Sequence, residues 1–375
     1  MRERRQIVDL WQRGDAVALA TLVRVEGSSY RRVGARLLIA ANGEYAGSIS
    51  GGCLEAEVIR KAQWLTRNGA AIQRYSTLFD DTADIPYGLG CGGTVDILLE
   101  PANTPEFTAL MQAMQASLQG ERCRVVTSLP TATSALSRQI LPENLGTSAP
   151  DVLPTNLGAP GPDPRTRVEA PHRLASHNRE EAALTFDEQL DPPHRLFLFG
   201  AGDDAQPMVR MAALLGWSVI VIDGRAQWAR SERFPEATQV LAASNLDGFA
   251  IDESDSVVIM THSYEQDRAW LAAALPSQPR YLGLLGSRHR SALLVSEVAA
   301  ILGWSLERAC ESIFAPVGLD LGGDGAEAVA LSAIAEMQAC REGKLGVSRR
   351  MSPETISEQV ALGGASRYLQ LQCAV

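Results

Sequence analysis

Residues 196–205 read LFLFGAGDDA, an apolar run followed by two glycines and a small residue. This pattern predicts a buried strand, a tight turn and the start of a helix. Gly200 would let the chain turn sharply off the strand, Gly202 would let a pyrophosphate approach the backbone, and Ala205 would keep helix and strand in contact. Asp223 follows about twenty residues later, where an acidic group can accept from a ribose hydroxyl. The stretch therefore predicts a dinucleotide-binding unit.

The surrounding sequence alternates between short apolar runs and helical patterns. The apolar runs are Leu196–Phe199, Val219–Ile222, Ser256–Met260 and Tyr281–Leu284. Strands separated by helical segments of about 10 to 15 residues are typical of parallel βαβ units. We therefore predict an α/β protein in which residues 194–343 form a C-terminal Rossmann-like domain with a doubly wound parallel sheet.

Several side chains near the predicted strand ends are candidate ligand contacts, because open parallel sheets bind ligands at the carboxyl ends of their strands. Arg225 follows the second strand and would favour a phosphorylated ribose, His262 follows the third, and Arg288 lies just after the fourth. Asp203 and Asp204, however, bring negative charge to the predicted pyrophosphate position. Two hypotheses stay open: the domain binds a nucleotide-bearing ligand, or it has kept the fold without binding anything tightly.

Residues 1–128 are predicted to form an N-terminal mixed α/β domain, with a small mixed sheet and helices. Asn42-Gly43 supplies the positive-φ positions of a tight hairpin turn between Arg36–Ala40 and Glu44–Ser48. A helical pattern then runs from Leu54 to about Leu65.

Residues 129–193 differ in composition, since prolines recur throughout this stretch. Proline lacks an amide donor and fixes its own φ, so this spacing disfavours both helix and sheet. We predict a linker or long excursion here, with the second domain beginning near Pro192-Pro193. Residues 344–375 form a polar, weakly patterned tail to which no function is assigned.

Two of the six cysteines are flanked by glycines: Gly51 and Gly52 precede Cys53, and Gly92 follows Cys91. Neighbours without side chains would let a large ligand reach each sulfur and the nearby amides. Cys53 also falls at a predicted helix start, which favours the thiolate. Thiolates bind soft metals and react with persulfides. We predict a cofactor-binding and metal-contacting pair; the alternative is two small buried side chains in tight turns.

Charge and composition exclude several classes of protein. The formal net charge of -10 argues against nucleic-acid binding, which needs clustered Lys and Arg. The N-terminus lacks the apolar core of a signal peptide, and no apolar run is long enough for a membrane span. A cytoplasmic location with reduced thiols is expected. The absence of C-x-x-C spacing argues against a structural zinc site.

Many separate motifs occur in a characteristic order along both predicted domains. They are Glu26–Ser29, Gly34-Ala35, Gly47–Glu55, Gly88–Gly93, Phe199–Gly202, Val221–Arg225, Arg233–Pro235, Met260–His262, Tyr281–Arg288 and Pro316–Gly322. Together they resemble the XdhC/CoxI family, the accessory proteins of xanthine dehydrogenase and carbon-monoxide dehydrogenase. One departure is Gly323-Asp324-Gly325, which replaces a Thr-Pro-Glu type helix start and weakens the expectation of ligand contacts from that helix.

The resemblance implies a chaperone for molybdenum cofactor (molybdopterin) without turnover chemistry of its own. Such proteins bind the cofactor, support exchange of an oxo for a sulfido ligand with a cysteine desulfurase, and deliver the cofactor to an apo molybdenum hydroxylase. The implied cofactor and molybdenum contacts fall on Cys53 and Cys91.

For the Rossmann-like half, the resemblance leaves two ligands open: the nucleotide portion of a dinucleotide form of molybdopterin, or NAD(P). Two other functions also stay open. One is an NAD(P)-dependent oxidoreductase built on Gly200, and the other is a partner-recruiting module with vestigial sites. Whether the chain forms a homodimer is not decided by the sequence.

Overall fold

The computed structural model describes residues 1–52, 54–76, 93–142, 166–169, 184–246 and 248–346. The chain divides into two compact units between Pro192 and Pro193. No helix in the described ranges is both long and apolar enough to cross a membrane.

The described residues of the N-terminal unit form three helices and two sheets. Its elements are α1 (Arg2–Gln12), β1 (Ala16–Gly27), β2 (Arg36–Ala40), β3 (Tyr45–Gly47), α2 (Glu55–Leu65), β4 (Ala71–Ser76), β5 (Gly93–Pro101), α3 (Pro105–Leu118), β6 (Cys123–Ser128), β7 (Ser137–Pro142), β8 (Thr166–Glu169) and β9 (Thr185–Leu190). One sheet has the order β3-β2-β1-β5-β4, and the other has the order β7-β6-β9-β8.

The hairpin and the first helix after it follow the local sequence signals. β2 and β3 pair antiparallel, and Gly43 between them has a φ of +85°. Helix α2 begins at Glu55, one residue from the predicted start. Every described strand pairing of this unit is antiparallel, where the sequence predicted a mixed sheet.

The described part of the proline-containing stretch 129–193 contributes three strands, which corrects the expectation that its prolines disfavour sheet. β7 and β9 both pair with β6, and β9 buries Phe186 and Leu190 in the core. Pro142 is the last residue of β7, an edge strand of this sheet. Proline is tolerated there because the outer side of an edge strand needs no ladder amide.

The C-terminal unit is a Rossmann-like domain, as predicted. Its elements are β10 (Arg195–Phe199), α4 (Ala205–Leu214), β11 (Ser218–Asp223), β12 (Gln239–Ala242), β13 (Ser256–Ile259), α5 (Tyr264–Ala274), β14 (Tyr281–Leu284), α6 (Arg288–Leu302), α7 (Leu306–Glu311) and α8 (Ala326–Arg341). All its strand pairings are parallel, in the order β12-β11-β10-β13-β14.

Alternating side chains of the central strands bury two cores, one on each face of this sheet. Leu196 and Leu198 pack in a core with α4 and α8, whereas Phe197 and Phe199 pack in a core with α5 and α6. This alternation is the period of a strand covered by helices on both faces. β12 was not predicted, because it is a partly exposed edge strand without a continuous apolar run.

The strand order reverses between β10 and β13. At such a switch point the loops after the two strands diverge and leave a crevice at their carboxyl ends. The glycine loop after β10 and the loop that carries His262 after β13 both lie there.

Candidate functional site

Gly200 packs the end of β10 against β13. Its φ is +126°, and a Cβ added there would lie 2.6 Å from the carbonyl carbon of Met260 and 3.0 Å from the amide nitrogen of Thr261. L-residues with a side chain rarely adopt this φ, and the neighbouring backbone leaves no room for one. Glycine is therefore required here by strand packing.

Asp223, predicted as a ribose acceptor, is buried and bonds within the protein. One carboxylate oxygen accepts from the Ala201 amide (2.9 Å) and from Arg225 Nη2 (2.8 Å). The other accepts from the amide (2.8 Å) and Nε (2.9 Å) of Arg225. Burial alone would raise the pKa of Asp223, but these hydrogen bonds outweigh it and hold the pKa below the usual 3.8. The carboxylate thus ties the glycine loop to the end of β11.

Arg225 and Arg233 both lie against the ring of Trp228, at 5.1 and 4.7 Å from its centroid. Arg233 also donates to the Trp228 carbonyl (2.8 Å) and pairs with Asp203 at 2.7 Å. Both arginines are therefore engaged by carboxylates, Arg225 by Asp223 and Arg233 by Asp203.

Asp204 and His262 form a pair across the switch point. Asp204 Oδ2 lies 2.8 Å from His262 Nε2, and the other carboxylate oxygen of Asp204 lies directly over the bare face of Gly202. His262 has a φ of 63°, a conformation that is uncommon for a residue other than glycine. Such backbone strain is found where the surrounding structure holds a side chain in place.

A cleft of about 420 Å³ opens beside this pair. Its position at the carboxyl ends of β10, β13 and β14 is the usual ligand position in a doubly wound sheet. The lining residues are Asp204, His262, Leu285, Gly286, Arg290, Gly325, Ala326 and Val329.

Asp267 bonds to two parts of the cleft wall. This fully buried carboxylate accepts from the amide (3.0 Å) and hydroxyl (2.6 Å) of Thr261, and it lies 2.6 Å from Arg290 Nη1. The Arg290 Nη1 also donates to the Leu285 carbonyl at 3.4 Å. One acid therefore fixes both the loop before His262 and the guanidinium in the cleft.

The arginine in the described cleft lining is Arg290, whereas the sequence predicted a ligand contact from Arg288. Arg288 begins α6, is exposed and is absent from the described lining. Asp267 was missed as well, although it left a signal. It shares the buried face of α5 with Trp270, Leu271 and Ala274, and an acidic residue on an apolar helix face needs a partner.

The N-terminal candidate site lies partly outside the described residues. Cys53, Cys91 and Gly92 are not described, so the predicted convergence of the two sulfurs stays a prediction. Gly51 and Gly52 are described, and both are exposed. No group of three or more His, Cys, Asp and Glu side chains in the described part could hold a metal ion.

The loop before Cys53 is organised by the buried carboxylate of Glu55. One oxygen accepts from the Ser48 hydroxyl (2.8 Å) and the Ser50 amide (2.9 Å), and the other accepts from the Ser50 hydroxyl and the Gly52 amide (3.1 Å). Burial would raise the pKa of Glu55, but the hydrogen bonds from Ser50 and Ser48 hold it below its usual value. The backbone leading to Cys53 is therefore fixed.

Tyr30 covers the Gly-Gly turn of this loop. A Cβ on Gly51 would lie 3.3 to 3.6 Å from atoms of the Tyr30 ring, so the ring lies close to the bare face of the glycine. The tyrosine is 74% exposed. Its ring is therefore accessible beside the segment that leads into Cys53.

Two protein families match parts of this chain. The XdhC Rossmann domain matches residues 196–337, and the XdhC and CoxI family matches residues 10–76. Each match falls in a different structural unit.

Three known proteins resemble the chain over most of its length. A protein of Bacillus subtilis (strain 168), named as a probable xanthine dehydrogenase subunit, is 30% identical over 86% of this chain and 92% of its own. The "molybdenum cofactor insertion chaperone PaoD" of Escherichia coli (strain K12) is 26% identical over 89% of this chain and 86% of its own. A crystal structure described as a xanthine dehydrogenase from Bacillus halodurans has a TM-score of 0.71 and 26% identity, and covers 95% of this chain and 99% of that one.

Proposed function

Because this chain belongs to the XdhC and CoxI family, we propose that it binds molybdenum cofactor and inserts it into a xanthine-dehydrogenase-type molybdenum hydroxylase. The near full-length similarity to a molybdenum cofactor insertion chaperone carries this proposal. A shared Rossmann fold alone would be weak support, since that fold hosts many functions. Here the similarity also extends through the N-terminal unit.

The N-terminal unit supplies the proposed contacts to the cofactor. We assign them to Cys53 and Cys91, with Gly51, Gly52 and Gly92 leaving access to each sulfur. Glu55 supports this assignment, because its buried carboxylate accepts hydrogen bonds from the backbone amides just before Cys53 and so holds that backbone in place. A fixed loop loses little conformational freedom when a ligand binds.

The partners of this function are an apo molybdenum hydroxylase, which receives the cofactor, and a cysteine desulfurase, which supplies the sulfur for the sulfido ligand. The chain holds the cofactor between these two steps and is not part of the finished enzyme. The chain itself binds the cofactor, protects it and leaves it accessible to these partners, and it does not turn over a substrate.

The test is cofactor retention by the full chain, purified from a host replete in molybdenum and pterin. Molybdenum is measured by elemental analysis, and the released pterin is measured by fluorescence after oxidation. We expect Cys53→Ala and Cys91→Ala each to lower retained molybdenum at least tenfold, while the melting temperature stays unchanged.

Cys310→Ala is the matched control, because Cys310 is an exposed thiol of the C-terminal unit. It should retain as much cofactor as the wild type. A double variant at Cys53 and Cys91 that retains the wild-type amount would overturn the assignment of these residues. A wild-type chain that takes up neither molybdenum nor pterin would overturn the proposed function itself.

A further inference from the structure

The glycine loop after β10 already carries a negatively charged side chain, Asp204, at the predicted ligand position. In a dinucleotide fingerprint, the bare face of the second glycine is where the pyrophosphate approaches the backbone. Here an Asp204 carboxylate oxygen lies over Gly202, where a Cβ would otherwise be, and the other oxygen bonds to His262. The pyrophosphate position is filled by a carboxylate.

Three further groups of the dinucleotide fingerprint are also engaged, namely two amides of α4 and the Asp223 carboxylate. The amides of Ala205 and Gln206, at the start of α4, donate to the carbonyls of Gly202 (3.2 Å) and Asp203 (3.3 Å). A carboxylate offers about four acceptor positions, and Asp223 fills four with Ala201 and Arg225. A ribose hydroxyl would have to displace one of these bonds.

Beside the neighbouring cleft, by contrast, two buried hydrogen-bond donors have no partner in the described part of the chain. Arg290 Nη1 is engaged by Asp267 and Leu285, but its Nη2 has no hydrogen-bond partner among the described residues. Ser291, only 3% exposed, likewise has a hydroxyl without a partner in the described part. That hydroxyl lies 3.8 Å from the Cβ position of Gly286, which lines the cleft.

The start of α8 adds the partial positive charge of a helix N-terminus, with Glu327 in its first turn 4.0 Å from the Cβ position of Gly325. Gly325 and Ala326 line the cleft, and the N-cap Gly325 provides no side chain to cap the helix. The N-terminus of a 16-residue helix carries unpaired amides and a partial positive charge, which favour phosphate. The Arg290 guanidinium, whose buried Nη2 has no partner among the described residues, suits the same anion. The acidic residue in the described lining, Asp204, is bonded to His262.

We propose that this cleft binds a phosphate monoester, and that the glycine loop beside it does not bind a dinucleotide pyrophosphate. Arg290 and the N-terminus of α8 receive the phosphate, while Leu285 and Val329 contact the apolar part of the ligand. The volume of about 420 Å³ is at the low end for ligand pockets and fits a phosphate with one attached group. The phosphate can belong to molybdopterin without a nucleotide or to a nucleoside monophosphate.

The experiment uses the full chain freed of bound small molecules. Titration calorimetry measures the binding of phenyl phosphate, as a simple monoester, and of NAD⁺ and NADP⁺ as dinucleotides. We expect phenyl phosphate to bind and both dinucleotides to bind at least tenfold more weakly. Competition with AMP and with molybdopterin then identifies the source of the monoester.

Two variants test the phosphate position. Arg290→Lys keeps the charge beside buried Asp267 but loses the guanidinium edge, so monoester binding should weaken at least tenfold. Ala326→Asp adds a carboxylate at a helix start, where it favours the helix and repels phosphate. It should abolish binding without lowering the melting temperature. Arg288→Lys is the control, since Arg288 is exposed and outside the lining. Equal binding by all three variants would overturn the site.

A second pair of variants tests the filled glycine loop. Asp204→Asn removes the charge over Gly202 and should raise the affinity for NAD⁺ at least tenfold. Asp203→Asn removes the same charge from the same loop, but its carboxylate bonds to Arg233, so NAD⁺ binding should not change. A wild-type chain that binds NAD⁺ more tightly than phenyl phosphate would contradict the inference. That result would leave the cofactor-insertion function intact, because molybdenum retention is measured separately.

Discussion

Glu55 sets the conformation of the loop of residues 48–52, which precedes it in the sequence and bonds to its carboxylate. The carboxylate lies at the first position of α2 and accepts from hydroxyls and amides of residues 48–52. Carboxylates are stabilised at helix N-termini, and hydrogen bonds to charged groups are worth about 1.5–3 kcal/mol each. This one side chain therefore contributes measurably to the stability of the N-terminal unit.

We expect Glu55→Gln to destabilise the N-terminal unit by about 2 kcal/mol, because a neutral amide has a single acceptor oxygen for several donors. Amide hydrogen exchange at residues 48–52 should accelerate accordingly. Glu57→Gln is the matched control in the same helical turn. Glu57 pairs with Arg60 and Lys61 on α2 itself, so exchange at residues 48–52 should stay close to wild type in this variant.

The same substitution should remove a pH dependence. The folded pKa of Glu55 lies below its ordinary 4.5, so its stabilising contribution is present above that pH. The contribution is lost as the pH falls through the folded pKa. Wild-type stability should therefore decline more steeply than that of Glu55→Gln in acid. Parallel declines of the two proteins below about pH 4.5 would show that Glu55 is not the titrating group.

The contact between the elements β10 and β13 depends on a single glycine. Parallel pairing brings the end of β10 beside Met260, and Gly200 is the residue whose missing side chain permits this approach. Gly202, two residues later, has no such constraint from the backbone, because the atom over it belongs to the side chain of Asp204.

We expect Gly200→Ala to destabilise the C-terminal unit by about 3 kcal/mol, from backbone strain and overpacking together. Gly202→Ala should cost less than about 1 kcal/mol, because the Asp204 side chain can rotate away. Urea unfolding followed by the fluorescence of the buried Trp217 and Trp270 measures both changes. Similar costs for the two variants would show that strand packing does not select the first glycine.

At the scale of the whole molecule, the N-terminal unit depends on β7 and β9, which follow its first sheet in the sequence. Glu188 on β9 pairs with Arg36 on β2, and Arg138 on β7 pairs with Glu100 on β5. All four side chains are at most 7% exposed. Leaving one partner of a buried ion pair alone costs about 3–5 kcal/mol.

A fragment of residues 1–192 should therefore fold, whereas a fragment of residues 1–128 should not. The shorter fragment loses both pairing strands of β6 and leaves the charges of Arg36 and Glu100 without these partners. Together these losses approach the total stability of a typical domain, about 5–15 kcal/mol. Circular dichroism with thermal melting measures the outcome. A cooperative transition in the shorter fragment would refute the dependence on β7 and β9.

The local sequence determined many elements of both units and the parallel sheet of the C-terminal unit, although it missed β12. Strand and helix periods, the Asn42-Gly43 turn and the glycine loop at 200–205 were each predicted close to their observed positions. These features depend on residues near in sequence, so a short window contains the physical information that specifies them. The same motifs identified the family, and they placed His262 at the switch point.

Only the tertiary structure decided which polar and charged side chains pair with each other. Arg36 and Glu188 are 152 positions apart, and Asp204 and His262 are 58 apart. Their pairing depends on strand order and on the direction of each side chain, which no local pattern encodes. For the same reason, the sequence brought Asp203 and Asp204 to the predicted pyrophosphate position, but only the fold shows that Asp204 is the one that lies over Gly202. A buried polar group must find a partner wherever the folded chain provides one, and that partner is fixed by distance in space rather than by separation along the chain.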